Sequence, residues 1–106
     1  MASVPLVAQL DTGADLTLFN AKIADQLYID WKAGIKTKVY GIEGKECPAY
    51  LHELEIEICD IPNSKTKTRV AFVALRNVGI LFGQYGFFEH FKVSFDAKNE
   101  SFEIIK

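Results

Sequence analysis

The sequence predicts a small all-β fold, a closed or nearly closed β-barrel with one or two short helices. Two observations carry that prediction. Short apolar or alternating runs follow one another closely and are separated by clusters of glycine, proline, asparagine and aspartate, as in chains built of strands and tight turns. Only two stretches have spacing suited to a helix, and both are brief. With 106 residues, 49% of them apolar, the chain has material for one domain and one core.

Taken in order, Val4 to Leu10 (V-P-L-V-A-Q-L) reads as a strand ending at Asp11. Asp11-Thr12-Gly13 then turns the chain, and Leu16-Thr17-Leu18-Phe19, apolar and partly β-branched, reads as the returning strand. Such an arrangement holds the Asp11 carboxylate at the floor of a cleft, not on a mobile tip. Asn20 to Leu27 reads as a helix, with Asn20 as N-cap and Ile23 and Leu27 as an i, i+4 apolar pair. Tyr28 to Gly34 connects onward, with Trp31 covering the edge of the core. Ile35 to Tyr40 alternates apolar and basic residues, the pattern of a half-exposed strand.

Gly41-Ile42-Glu43-Gly44 supplies a turn with two glycines available for positive φ. From Ala49 a long strand is expected, with Leu54, Ile56 and Ile58 facing one way and a wet row of Glu53, Glu55 and Glu57 facing the other. Asp60 to Thr68 is a polar loop turning at Pro62-Asn63-Ser64. Arg69 to Leu75 is apolar on both faces and reads as a central strand, and Val78 to Gly83 as a further buried stretch. Gln84 to Phe91 has the spacing of a short helix burying Tyr85, Phe88 and Phe91, weakened by Gly86. The chain ends in a hairpin: Phe91, Val93 and Phe95 point inward, residues 97–100 turn, and Phe102 to Ile105 returns.

A net charge of −2, with no block of like charges, argues against nucleic acid and anionic membrane as partners. No apolar run approaches the ~20 residues of a membrane span, and no signal peptide is visible, so the default compartment is the cytoplasm. The first strand begins almost at Met1, as in a domain excised from a longer chain. Cys47 and Cys59 fit no metal-ligand spacing and are too few for a disulfide framework, so they read as reduced thiols. His52 and His90 have no partner at catalytic spacing, and no clustered His/Cys set points to zinc.

Three motifs, in order, carry a resemblance. Leu10-Asp11-Thr12-Gly13-Ala14-Asp15 resembles the active-site loop of the retroviral-type, or retropepsin-like, aspartic proteases. Gly41-Ile42-Glu43-Gly44, leading into Leu54-Glu55-Ile56-Glu57-Ile58, resembles the flap of that family. Leu81-Phe82-Gly83, followed by a short helix, resembles the stretch that packs beneath the active-site loop. The resemblance runs from about Leu6 to the C-terminus and implies the retropepsin-like barrel and aspartic endopeptidase activity, in a cellular or microbial member.

That chemistry needs two carboxylates sharing one proton, and the chain holds one Asp-Thr-Gly. The resemblance therefore implies a homodimer in which Asp11 faces its symmetry mate. It makes Asp11 the water-activating acid, gives the Thr12 hydroxyl a bond across the interface, and lets Gly13 bring backbone close to the substrate. Ala14 and Asp15 border an extended peptide, with Asp15 accepting from its backbone. Gly41, Ile42, Glu43 and Gly44 close over that peptide, which binds largely by strand pairing. No metal and no cofactor are implied. The chain departs from the viral pattern in a short N-terminal segment, in Glu43 at the flap tip, in the added helix at Asn20 to Leu27, and in Gln84 where an arginine usually braces the loop acid. The alternative reading is a retropepsin-like peptide-binding or dimerisation module that cleaves little or nothing.

Overall fold

Residues 70–73 set the frame of the molecule. A computed structural model of the protein describes residues 5–40, 44–74 and 79–106. In chain order its strands are β1 (Gln9–Leu10), β2 (Leu18–Asn20), β3 (Ile35–Tyr40), β4 (Glu46–Ile56), β5 (Thr66–Val73), β6 (Ile80–Phe82), β7 (Lys92–Asp96) and β8 (Ser101–Ile105). The α-helix α1 (Ala21–Gln26) follows β2, and a 3-10 turn spans Trp31–Ala33. Six strands form one mixed sheet in the order β1-β6-β2-β5-β4-β3, and β7 with β8 makes a separate ribbon.

β5 is flanked by β2 and β4, and its four residues from Val70 to Val73 are all buried. Alternation then sends Val70 and Phe72 to one face and Ala71 and Val73 to the other. The first face packs Phe19, Ala24 and Ile80 around them, with Ile23, Leu27 and Trp31 at the margin. The second packs Val39 and Ala49, with Leu16, Leu18 and Leu51. Each large side chain fully buried there stabilises the fold by about 1.5–3 kcal/mol. α1 covers the first face. Its N-cap is Asn20, whose Oδ1 accepts the Lys22 N–H at 2.9 Å.

The alternating pattern of β4 is as expected: Leu54 and Ile56 are half-buried while Glu53 and Glu55 face solvent. Several other expectations are corrected. Of the strand expected over Val4 to Leu10, Val4 lies outside the described residues, and among residues 5–10 only Gln9 and Leu10 pair, with Pro5 offering no N–H and Val7 94% exposed. β4 starts at Glu46, before Ala49. Its Pro48 lies where β4 has β3 on one side, paired with Lys38, and the β5 ladder begins only at Ala49.

Residues 84–91 form consecutive turns instead of a helix. Their amides reach back unevenly, Phe88 N–H to Gly83 O and Glu89 N–H to Gln84 O at 3.1 Å each, and Gly86 takes φ +102°. Phe87, not Tyr85 or Phe88, is the fully buried ring, with Phe91 beside it. In the hairpin Phe95 does not point inward: it is 58% exposed and lies opposite Phe102, because no layer covers that end of the ribbon. Nor does the sheet close among the described residues. Its linear order leaves β1 and β3 as edges, β1 having only two residues to offer a partner and β3 presenting Lys36 and Lys38 to solvent.

Candidate functional site

Residues 11–17 link β1 to β2, and both of those strands pair with β6. β1 lies parallel to it, Leu10 beside Phe82, while β2 lies antiparallel, Leu18 beside Leu81. The connecting loop must therefore arch over the C-terminal end of β6. Residues 82–85 bind it there by backbone: Asp11 N–H to Phe82 O at 2.9 Å, Gln84 N–H to Ala14 O at 2.9 Å, Tyr85 N–H to Asp15 O at 2.8 Å, and Thr17 N–H to Tyr85 O at 3.0 Å. A loop bonded at this density has little freedom to move.

The close approach explains Gly83. A Cβ at this position would fall onto the carbonyl oxygens of Leu16 and Ala14, so only glycine lets the strand end pass beneath the loop. Thr17, 1% exposed, seals the contact from within: its Oγ1 accepts the Gly83 N–H at 3.1 Å, and its carbonyl accepts the Ala71 N–H at 2.9 Å. Below, the Phe82 and Phe87 rings stack at 4.0 Å, and Phe91 stacks on Phe87 at 4.9 Å. These rings anchor the turns at 84–91 against the strand that supports the loop.

On this base Asp11 is half-buried, Thr12, Gly13 and Asp15 are exposed, and Ala14 is half-buried. Asp11 Oδ1 accepts the Gly13 N–H at 3.0 Å. A Cβ on Gly13 would stand 3.3 Å from that same oxygen, so a side chain there would crowd the carboxylate. Gln84 Nε2 donates to the Thr12 carbonyl at 2.8 Å. The result is a carboxylate with fixed direction at an accessible rim, the form a general acid or base requires.

The structure thus brings Asp11, Thr12, Gly13, Ala14 and Asp15 together with residues 82–85. Of the turn expected to act as a flap, Gly44 alone is among the described residues. Gly41, Ile42 and Glu43 lie outside the described residues; Gly44 is described, exposed and at φ +71°. The β3–β4 pairing continues from Thr37–Ala49 through Lys38–Pro48, Val39–Cys47 and Tyr40–Glu46, beyond the last β4–β5 pair at Ala49–Val73. These residues form a two-stranded arm on the opposite flank from β1, with Lys38 Nζ 2.7 Å from Glu46 Oε1 across it.

Two participants were not readable from local pattern. Thr17 looks like one more β-former in an apolar run, and the only hint of its role is a hydroxyl among aliphatic neighbours. Gln84 stands out only through the resemblance, at the position of the bracing arginine, and its contact is with the Thr12 carbonyl 72 positions away instead of a loop acid. His52 is structural: its Nε2 is 2.7 Å from Trp31 O, and its ring meets Phe72 edge-on at 5.3 Å. Cys47 and Cys59 are both unbridged. No helix among the described residues is long and apolar enough to cross a membrane. No family model, no curated protein and no solved structure matches the chain.

Proposed function

We propose that the chain is one half of an aspartic endopeptidase of retropepsin type, active as a homodimer. Asp11 from each subunit meets its mate at the interface, and the pair holds one proton between them, because like charges so close cannot both ionise. The ionised carboxylate takes a proton from a bound water as the water attacks the peptide carbonyl, and the protonated carboxyl donates to the carbonyl oxygen. Collapse of the tetrahedral species then delivers a proton to the departing amine. Written this way the reaction calls for no metal, no cofactor and no covalent enzyme intermediate.

The observation that supports this reading is the Asp-Thr-Gly loop itself. It is fixed by backbone bonds to residues 82–85, and its Asp11 carboxylate is oriented by the Gly13 N–H. The exposed Thr12 hydroxyl is offered to the second subunit, and the exposed Asp15 carboxylate to the backbone of an extended peptide. The proposed cover for that peptide is the β3–β4 arm together with Gly41, Ile42, Glu43 and Gly44, the stretch the resemblance gives as a flap.

Cleavage of an unfolded protein at mildly acidic pH tests the assignment, comparing wild type with Asp11→Asn. The variant is expected to lose activity by at least about 10²-fold while keeping its circular dichroism spectrum. Equal cleavage by both proteins would move the chemistry to other residues. A wild type that dimerises and binds peptide without cutting it would support a binding module instead.

A further inference from the structure

The amide between Thr12 and Gly13 is held at both ends. Its N–H donates to Asp11 Oδ1 at 3.0 Å, and its carbonyl oxygen accepts from Gln84 Nε2 at 2.8 Å. Both bonds belong to one planar trans peptide unit, so a single rotation of that plane changes them together. Gln84 is well placed to hold it. Its own N–H is bonded to Ala14 O at 2.9 Å, and its carbonyl takes the Glu89 N–H at 3.1 Å.

We infer that Gln84 is a positioning residue for Asp11, acting through the Thr12–Gly13 amide to keep the Gly13 N–H aimed at the carboxylate. Its catalytic meaning rests on the aspartic peptidase reading; the geometry stands without it. A flip of this amide would withdraw the N–H and turn a carbonyl oxygen toward the Asp11 carboxylate, exchanging attraction for repulsion. Glycine at position 13 offers little steric resistance to such a flip, so the restraint has to come from outside the loop. A donor on the carbonyl also polarises the amide and makes its N–H a stronger donor.

Without the clamp the Gly13 N–H is free to turn away from Asp11 Oδ1, and the carboxylate loses the donor that sets its direction. The other ionisable side chains on segments packed around the loop are Asp15 on the loop, Tyr85, Glu89 and His90 within residues 84–91, and Lys67 and Arg69 on β5. Glu89 is engaged separately, accepting the Gly86 N–H at 2.8 Å and lying 3.4 Å from His90 Nε2. All of them stay in place when only position 84 is changed.

The test is hydrogen exchange of the Gly13 amide, followed by NMR beside the amides of β5, in wild type and Gln84→Met. Methionine keeps the length of the side chain and lacks the donor. Gly13 exchange is expected to speed up several-fold while the β5 amides exchange at their wild-type rates. In cleavage assays kcat is expected to fall several-fold with KM little changed, a split that loosened packing alone does not produce. Gln84→Glu provides the second variant: its ionised side chain offers no donor to the Thr12 carbonyl, so Gly13 exchange is at least as fast as with methionine. Wild-type values of both readouts in either folded variant would overturn the inference. A wild type that fails to cleave would sink the peptidase reading alone, since Gly13 exchange still decides the role of Gln84.

Discussion

Thr17 has its amide, its carbonyl and its hydroxyl all engaged, the amide and hydroxyl with residues 82–85 and the carbonyl with β5. Thr17→Val keeps the shape and removes the acceptor for the buried Gly83 N–H, which is then left without a partner. The expected loss is about 1–3 kcal/mol in urea unfolding. Thr17→Ser, which retains the hydroxyl, is expected to recover most of it. If valine and serine unfold alike, the hydroxyl bond is not what holds this contact. The sequence disclosed half of this pair. Gly83, ending an apolar stretch, stands out because nothing else there tolerates close backbone, whereas threonine is at home in any strand and its buried hydroxyl announces nothing until the partner strand is in place.

The β7–β8 hairpin is closed by its own side chains. Asn99 Nδ2 donates to Asp96 Oδ2 at 2.8 Å, and the Asn99 N–H donates to Oδ1 at 3.2 Å. The side-chain bond first, and the backbone bond after it, hold the Asp96 carboxyl below its ordinary value of 3.8. A depressed folded-state pKa means the contribution is present above the unfolded value and disappears as pH falls through the folded one. The turn should therefore loosen only on strong acidification, leaving mildly acidic peptidase assays unaffected. An Asp96 midpoint at or above 3.8 by NMR would contradict this. At this scale the sequence was informative where one face is wet and the other half-buried, as in β4. It misled where the apolar residue sits at an uncovered end, as with Phe95, and at residues 84–91. There the spacing is helical, but Gly86 is pressed against Arg69 O and Thr17 Oγ1 at positive φ, and the turns follow that packing instead.

Sheet closure could not be read from residue patterns, because it depends on how two edges meet after the twist of every intervening strand has accumulated. With β1 only two residues long, the described sheet stays open, and the Asp11 loop sits beside that short edge. A single chain with one Asp-Thr-Gly supplies one acid from this loop, so the proposed chemistry makes activity a property of pairs. Subunit mixing exposes that property directly. When Asp11→Asn protein is added to an equal amount of wild type and the subunits exchange, half of the wild-type chains acquire a mate without the acid. Cleavage should then fall to roughly half, and further with excess variant, while rate per chain also drops on dilution through dimer dissociation. A catalyst that carries its whole acid–base apparatus in one chain would be indifferent to both treatments. Asp15 shares the loop but has its carbonyl tied to Tyr85 and its side chain in solvent, so indifference would also mean that the second acid comes from outside this loop altogether.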